Sequence, residues 1–80
     1  MKAQGTIEIE NGLVLNNPTL EIENITYKQN ENIVIVECIF TEENAIFKHS
    51  RNFTFEAGKD MLKSDVLKLI NNHEILKNFK

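Results

Sequence analysis

The sequence predicts an α+β domain that is mainly β: an antiparallel, meander-like sheet of about five strands followed by a short C-terminal helical segment. Three observations carry this. The run IVIVECIFT at 33–41 is the most β-prone in the chain and too short and too β-branched for a helix. An Asn-Gly pair at 11–12 separates two apolar runs, the strongest short-range hairpin signal. After Gly58 the apolar period changes from two to that of a helix, over 60–79.

The elements follow in order. TIEIENGLVLN alternates Ile7 and Ile9 with Thr6, Glu8 and Glu10, so strands at 5–10 and 13–16 should pair across Asn11-Gly12, whose residues tolerate the positive φ of a type I′ turn. Asn16-Asn17-Pro18 then breaks the pairing, because proline offers no donor and restrains its predecessor. In the third strand, 19–28, Leu20 and Ile22 share a parity that Ile25 and Tyr27 do not. One extra residue near Glu23-Asn24 restores a common face, which predicts a β-bulge there.

QNEN at 29–32 is a polar turn into the fourth strand, 33–41. Val34, Val36, Cys38 and Phe40 form one of its faces, Ile33, Ile35 and Ile39 the other, so a central strand covered on both sides is expected. A turn at 42–44, with Asn44 in a left-handed conformation, leads into the fifth strand, 45–56. Its odd positions Phe47, His49, Arg51, Phe53 and Phe55 form the packed face.

In the tail, Ser64 reads as a helix N-cap and Asp65 suits the first-turn dipole, while Leu62, Val66, Leu67 and Ile70 form a stripe. Asn71-Asn72 interrupts it before Ile75, Leu76 and Phe79 resume helical spacing, which favours two short pieces over one helix. Repeats, low-complexity tracts and long linkers are absent from the sequence, so residues 1–80 read as one small domain.

The stretch AIFKHSRNFTFEA contains the only arginine and one of two histidines. A three-residue turn at 42–44 pairs Ile39 with Phe47, Glu37 with His49, Ile35 with Arg51 and Ile33 with Phe53. This makes Glu37, His49 and Arg51 one contact or register cluster, since a carboxylate among isoleucines needs a nearby cation. A two-residue turn pairs Cys38 with His49 and leaves Glu37 opposite Ser50. The three-residue turn is favoured.

Such a cluster has the groups for acid–base chemistry. It lacks a nucleophile, a phosphate-binding glycine loop and a pocket evident from sequence, so structural pairing is the expectation and no catalytic residue is assigned. His73 in NNHEILK begins like a zinc-protease helix, but Lys77 stands where the second histidine belongs, so His73 reads as a surface or helix-end residue. A single cysteine, Cys38, builds neither an internal disulfide nor a four-thiolate zinc site and reads as a small core residue. No cofactor or metal site is expected.

A net charge of −3 disfavours binding along a phosphate backbone. KHSRNFTF interleaves basic and aromatic residues like a single-strand nucleic-acid platform, but lacks the glycines of an RNA-recognition strand and commits its phenylalanines to a core. No nucleic-acid partner is expected. The opening MKAQGTIEIE contains no secretory leader or membrane span, so cytoplasmic synthesis and no membrane partner are expected. The glycosylation patterns at Asn24 and Asn52 then carry no weight.

The segments NNPTLEIENITY, HSRNFTF and LINNHEILKNF together resemble small structural proteins of tailed bacteriophages. The resemblance lies in general texture over most of the chain and transfers no functional residue. It implies a non-enzymatic virion or assembly protein, made in a host cytoplasm, that acts through self-association or contacts with other virion subunits. A thin sheet with few covering elements is compatible with that, since apolar surface is left for a neighbour. The alternative is a small acidic inhibitor of a host protein, an anti-defence factor or nucleic-acid mimic, presenting the glutamates of its two EIE runs and TEEN.

Overall fold

A computed structural model describes residues 1–58 and 61–80. The start of the expected helical region at residue 60 lies outside the described residues. The protein is mainly β, with strands β1 (Thr6–Glu10), β2 (Leu13–Asn16), β3 (Thr19–Lys28), β4 (Ile33–Thr41) and β5 (Lys48–Glu56). Helix α1 (Lys63–Asn72) and a 3₁₀ turn (Leu76–Asn78) follow as two separate pieces.

The five antiparallel strands are divided between two sheets, β1-β2 and β3-β4-β5, rather than forming one meander. The break falls at the expected Asn-Asn-Pro segment. Asn17 adopts φ 44° and exchanges hydrogen bonds with Gly5. The start of the β3 edge, where β2 would have continued the sheet, is occupied instead by Met1 and Lys2: Lys2 bridges Thr19, and Leu20 N–H donates to the Met1 carbonyl at 2.7 Å.

In the β1-β2 hairpin only Gly12 of the Asn-Gly pair takes positive φ, and the ladder slips between Glu8 and Glu10. The turn is therefore not the expected type I′. The β3 bulge lies where expected: Ile22 pairs with Cys38 and Asn24 with Glu37, leaving Glu23 as the extra residue. Ile22 and Ile25 thereby pack against one core despite their opposite parity.

β4 is the central strand, yet its two faces differ. Val34, Val36, Cys38 and Phe40 are at most 1% exposed, whereas Ile33, Ile35, Glu37 and Ile39 are half-buried. The expectation of cover on both sides is corrected. The hairpin, α1 and the C-terminal turn supply Ile9, Leu15, Val66, Ile70, Leu76 and Phe79 to a single core on the inner face. The outer isoleucines are flanked by exposed polar side chains such as Thr26, Lys28, Ser50 and Thr54.

β5 begins at Lys48, not at residue 45. Asn44 does take the left-handed conformation (φ 64°), and Ala45 N–H closes a turn onto the Glu42 carbonyl, but six residues separate Thr41 from Lys48. The ladder accordingly pairs Phe40 with His49, Cys38 with Arg51, Val36 with Phe53 and Val34 with Phe55. Both expected registers are wrong. The observed one places the aromatic face of β5 beside the fully buried face of β4, so the largest apolar side chains share one core.

At α1 the cap differs too. The helix starts at Lys63, so Ser64 lies inside it, and the Asp65 carboxylate accepts the Leu62 N–H at 3.0 Å. Of the stripe, Val66 and Ile70 are buried, while Leu62 and Leu67 remain exposed.

Candidate contact surface

The structure separates the three residues expected to cluster. Glu37 is on the outer face of β4, between Asn24 and Asn52, while His49 and Arg51 are on the inner face of β5. The six-residue loop shifted the pairing by an odd number, which reverses which face of β4 meets them. A Glu37-His49-Arg51 site is thereby excluded.

Arg51 works inward instead. Its guanidinium lies 4.5 Å from the Phe53 ring centroid and donates to the carbonyl of Ile9. Ile9 has dropped out of the β1-β2 register at the bulge, so its carbonyl takes a partner from outside that ladder. Arg51 thus joins the two sheets.

His73, which the sequence marks only as a helix-end or surface residue, packs edge-on against Phe53 at 4.9 Å and Phe55 at 5.7 Å. Its Nδ1 accepts the N–H groups of Ile75 at 3.1 Å and Leu76 at 3.4 Å, capping the second helical piece. Burial, and then the Arg51 charge, hold its pKa below the ordinary value of 6.5 against an opposing effect of Glu74. This neutral, hydrogen-bonded imidazole serves packing. Cys38 is fully buried, and burial raises its thiol pKa to about 11.

The conspicuous exposed chemistry is elsewhere, on residues the sequence assigned to a strand. Ile46 is 88% exposed and Phe47 74%, as the last two residues of the β4-β5 loop before Lys48. The base of that loop is well held. Asn16 N–H donates to the Glu42 carboxylate at 3.0 Å, Glu43 N–H to the Asn16 carbonyl at 3.1 Å, and Asn17 Nδ2 to Glu43 Oε2 at 2.7 Å. An apolar pair therefore projects from a base tied to the β2-β3 turn. The signal for it was weak: Ile46 has the parity of the polar face, a misfit if the strand begins at 45.

A second apolar surface is an open groove of about 650 Å³ between β3 and α1, lined by Ile22, Ile25, Tyr27, Met61, Leu62 and Leu67 among others. Tyr27 closes one side by donating to the Gly58 carbonyl at 2.8 Å. Among the described residues no helix is long and apolar enough to cross a membrane, and no three His, Cys, Asp or Glu side chains gather as metal ligands. No protein-family model matches the chain, and no curated protein or solved structure matches it.

Proposed function

We propose that this chain is a non-enzymatic interaction protein, a small virion or assembly component of a tailed bacteriophage that acts through protein–protein contacts. The observation that carries the contact reading is the exposed Ile46-Phe47 pair on a loop whose first residues are held by hydrogen bonds. Exposed apolar side chains are ordinary singly, but an adjacent Ile-Phe pair on a loop has the form of an anchor for a partner's pocket. The phage setting comes from the resemblance in sequence texture alone.

The test is co-purification from particles or cells that carry the protein, comparing the natural chain with Ile46→Ser/Phe47→Ser. A particle protein retained by the natural chain and lost with the double variant supports the reading, provided circular dichroism shows the variant folded. A natural chain recovered without any protein partner, itself included, argues against it.

A further inference from the structure

The two edges of the three-stranded sheet are finished differently. The β3 edge is covered at its start by Met1 and Lys2 and interrupted by the Glu23 bulge. β5 runs for nine residues without proline, glycine or a break in its ladder to β4, and no described strand pairs with its outer side. Sheet proteins commonly blunt such an edge with a bulge, a proline or a short strand, because an unpaired row of backbone N–H and C=O groups templates another strand. Its inward-facing charge, Arg51, is already engaged with Ile9.

Resting on the interaction reading above, we propose that the chain forms a two-fold dimer by antiparallel pairing of β5 with β5 of a second copy, centred on Asn52. Antiparallel pairing of identical strands must match faces, so each residue meets one of its own parity. Centring on Asn52 is the register that uses all nine residues. It sets Lys48 opposite Glu56 at both ends, Ser50 opposite Thr54, and Asn52 opposite itself, and all five of these side chains are exposed in the single chain. Centring on Arg51 would oppose two arginines and lose the Lys48–Glu56 match. Centring on Phe53 would place Glu56 against Ser50 and leave Lys48 beyond the paired stretch.

The interface is isologous and closes as a dimer, merging two three-stranded sheets into one of six strands. The charge match at its ends makes the second copy the specific occupant of this edge. The half-buried outer row of Ile33, Ile35 and Ile39 lies one strand away from the seam in each copy.

Sedimentation equilibrium of the full chain tests this, with Lys48→Glu, Glu56→Lys and the double exchange. Each single variant sets like charges opposite one another twice per dimer and is expected to weaken association about tenfold, while the double exchange restores it. Asn52→Cys should cross-link two copies under oxidation. Thr54→Cys should not, because in this register its two cysteines are offset by about 13 Å along the strands, beyond disulfide reach.

A natural chain monomeric up to about 1 mM overturns the proposal. So does a dimer indifferent to the exchange at 48 and 56, or one that Thr54→Cys cross-links and Asn52→Cys does not. Association lost only in Ile46→Ser/Phe47→Ser overturns it as well, while leaving the interaction reading intact with the β4-β5 loop as its surface.

Discussion

The guanidinium of Arg51 on β5 donates to the backbone carbonyl of Ile9 on β1, so one side chain links the two sheets. The carbonyl lies at the register slip of the hairpin, and removing the donor leaves a partly buried acceptor without its charged partner. Arg51→Met is expected to destabilise by about 1–3 kcal/mol. Glu37→Gln, on the opposite face, should change stability by less than about 0.5 kcal/mol, and the double variant should be additive. Urea unfolding of the four chains measures this; strong coupling between the two positions would contradict the register.

His73 gives stability a defined pH dependence. Its folded pKa lies below the ordinary 6.5, so between these two values the unfolded chain binds more protons than the folded one. This contribution is fully present above about pH 6.5 and is lost as pH falls through the folded value. The physical reason is that protonation removes the Nδ1 acceptor from the Ile75 and Leu76 amides and places a second cation near Arg51. In His73→Asn, whose side chain keeps a capping oxygen without titrating, melting temperature should fall less between pH 7 and 5 than in the natural chain. Parallel curves would count against this role.

Cys38 should be inert while the protein is folded. It is fully buried, and its thiol is pushed up to about 11, so at pH 8 both access and thiolate are lacking. A disulfide-exchange reagent should modify it only at the rate of opening or unfolding, and fully in denaturant. Rapid modification of the native chain would mean that the inner face of β4 opens readily.

The tail is expected to be indispensable to the core. Phe79 is 3% exposed, with its ring centroid 5.5 Å from that of Phe40. Phe79→Ala should cost about 3–5 kcal/mol, a large share of the stability available to a domain of this size. Removal of residues 64–80 should expose the inner face of the sheet and yield aggregate; light scattering on purified material decides it.

Glu23 should be dispensable where its neighbours are not. It is the unpaired residue of the β3 bulge, so its deletion joins Ile22 to Asn24 and lets the ladder to β4 continue without the slip. Deleting Thr26 instead moves Tyr27 and Lys28 to the opposite faces of the strand. Thermal unfolding should show a folded protein for the first deletion and a much greater loss for the second.

What was legible in the sequence was local. Alternation located β1 to β4 within a residue, the parity change at Ile22 and Ile25 located the bulge, and Asn71-Asn72 located the break between the helical pieces. The start of β5 is not legible in the same way: AIF has as much strand propensity as the residues that follow, and only the turn closed by Ala45 N–H and the Glu42 carbonyl takes it out of the ladder.

Backbone period and propensity are enough to say where strands and helices lie, apart from the start of β5, and that Phe53 and Phe55 share a face with His49 and Arg51. Which face of β4 they meet depends on long-range packing. Both faces of that strand are apolar, so neither choice is penalised locally, and the register was settled by burying the phenylalanines of β5 with Phe40, Val36 and Phe79 in one core. The same choice sent Glu37 to the outside, turned Arg51 toward Ile9, and left Ile46 and Phe47 beyond the end of the ladder, where no neighbouring strand covers them.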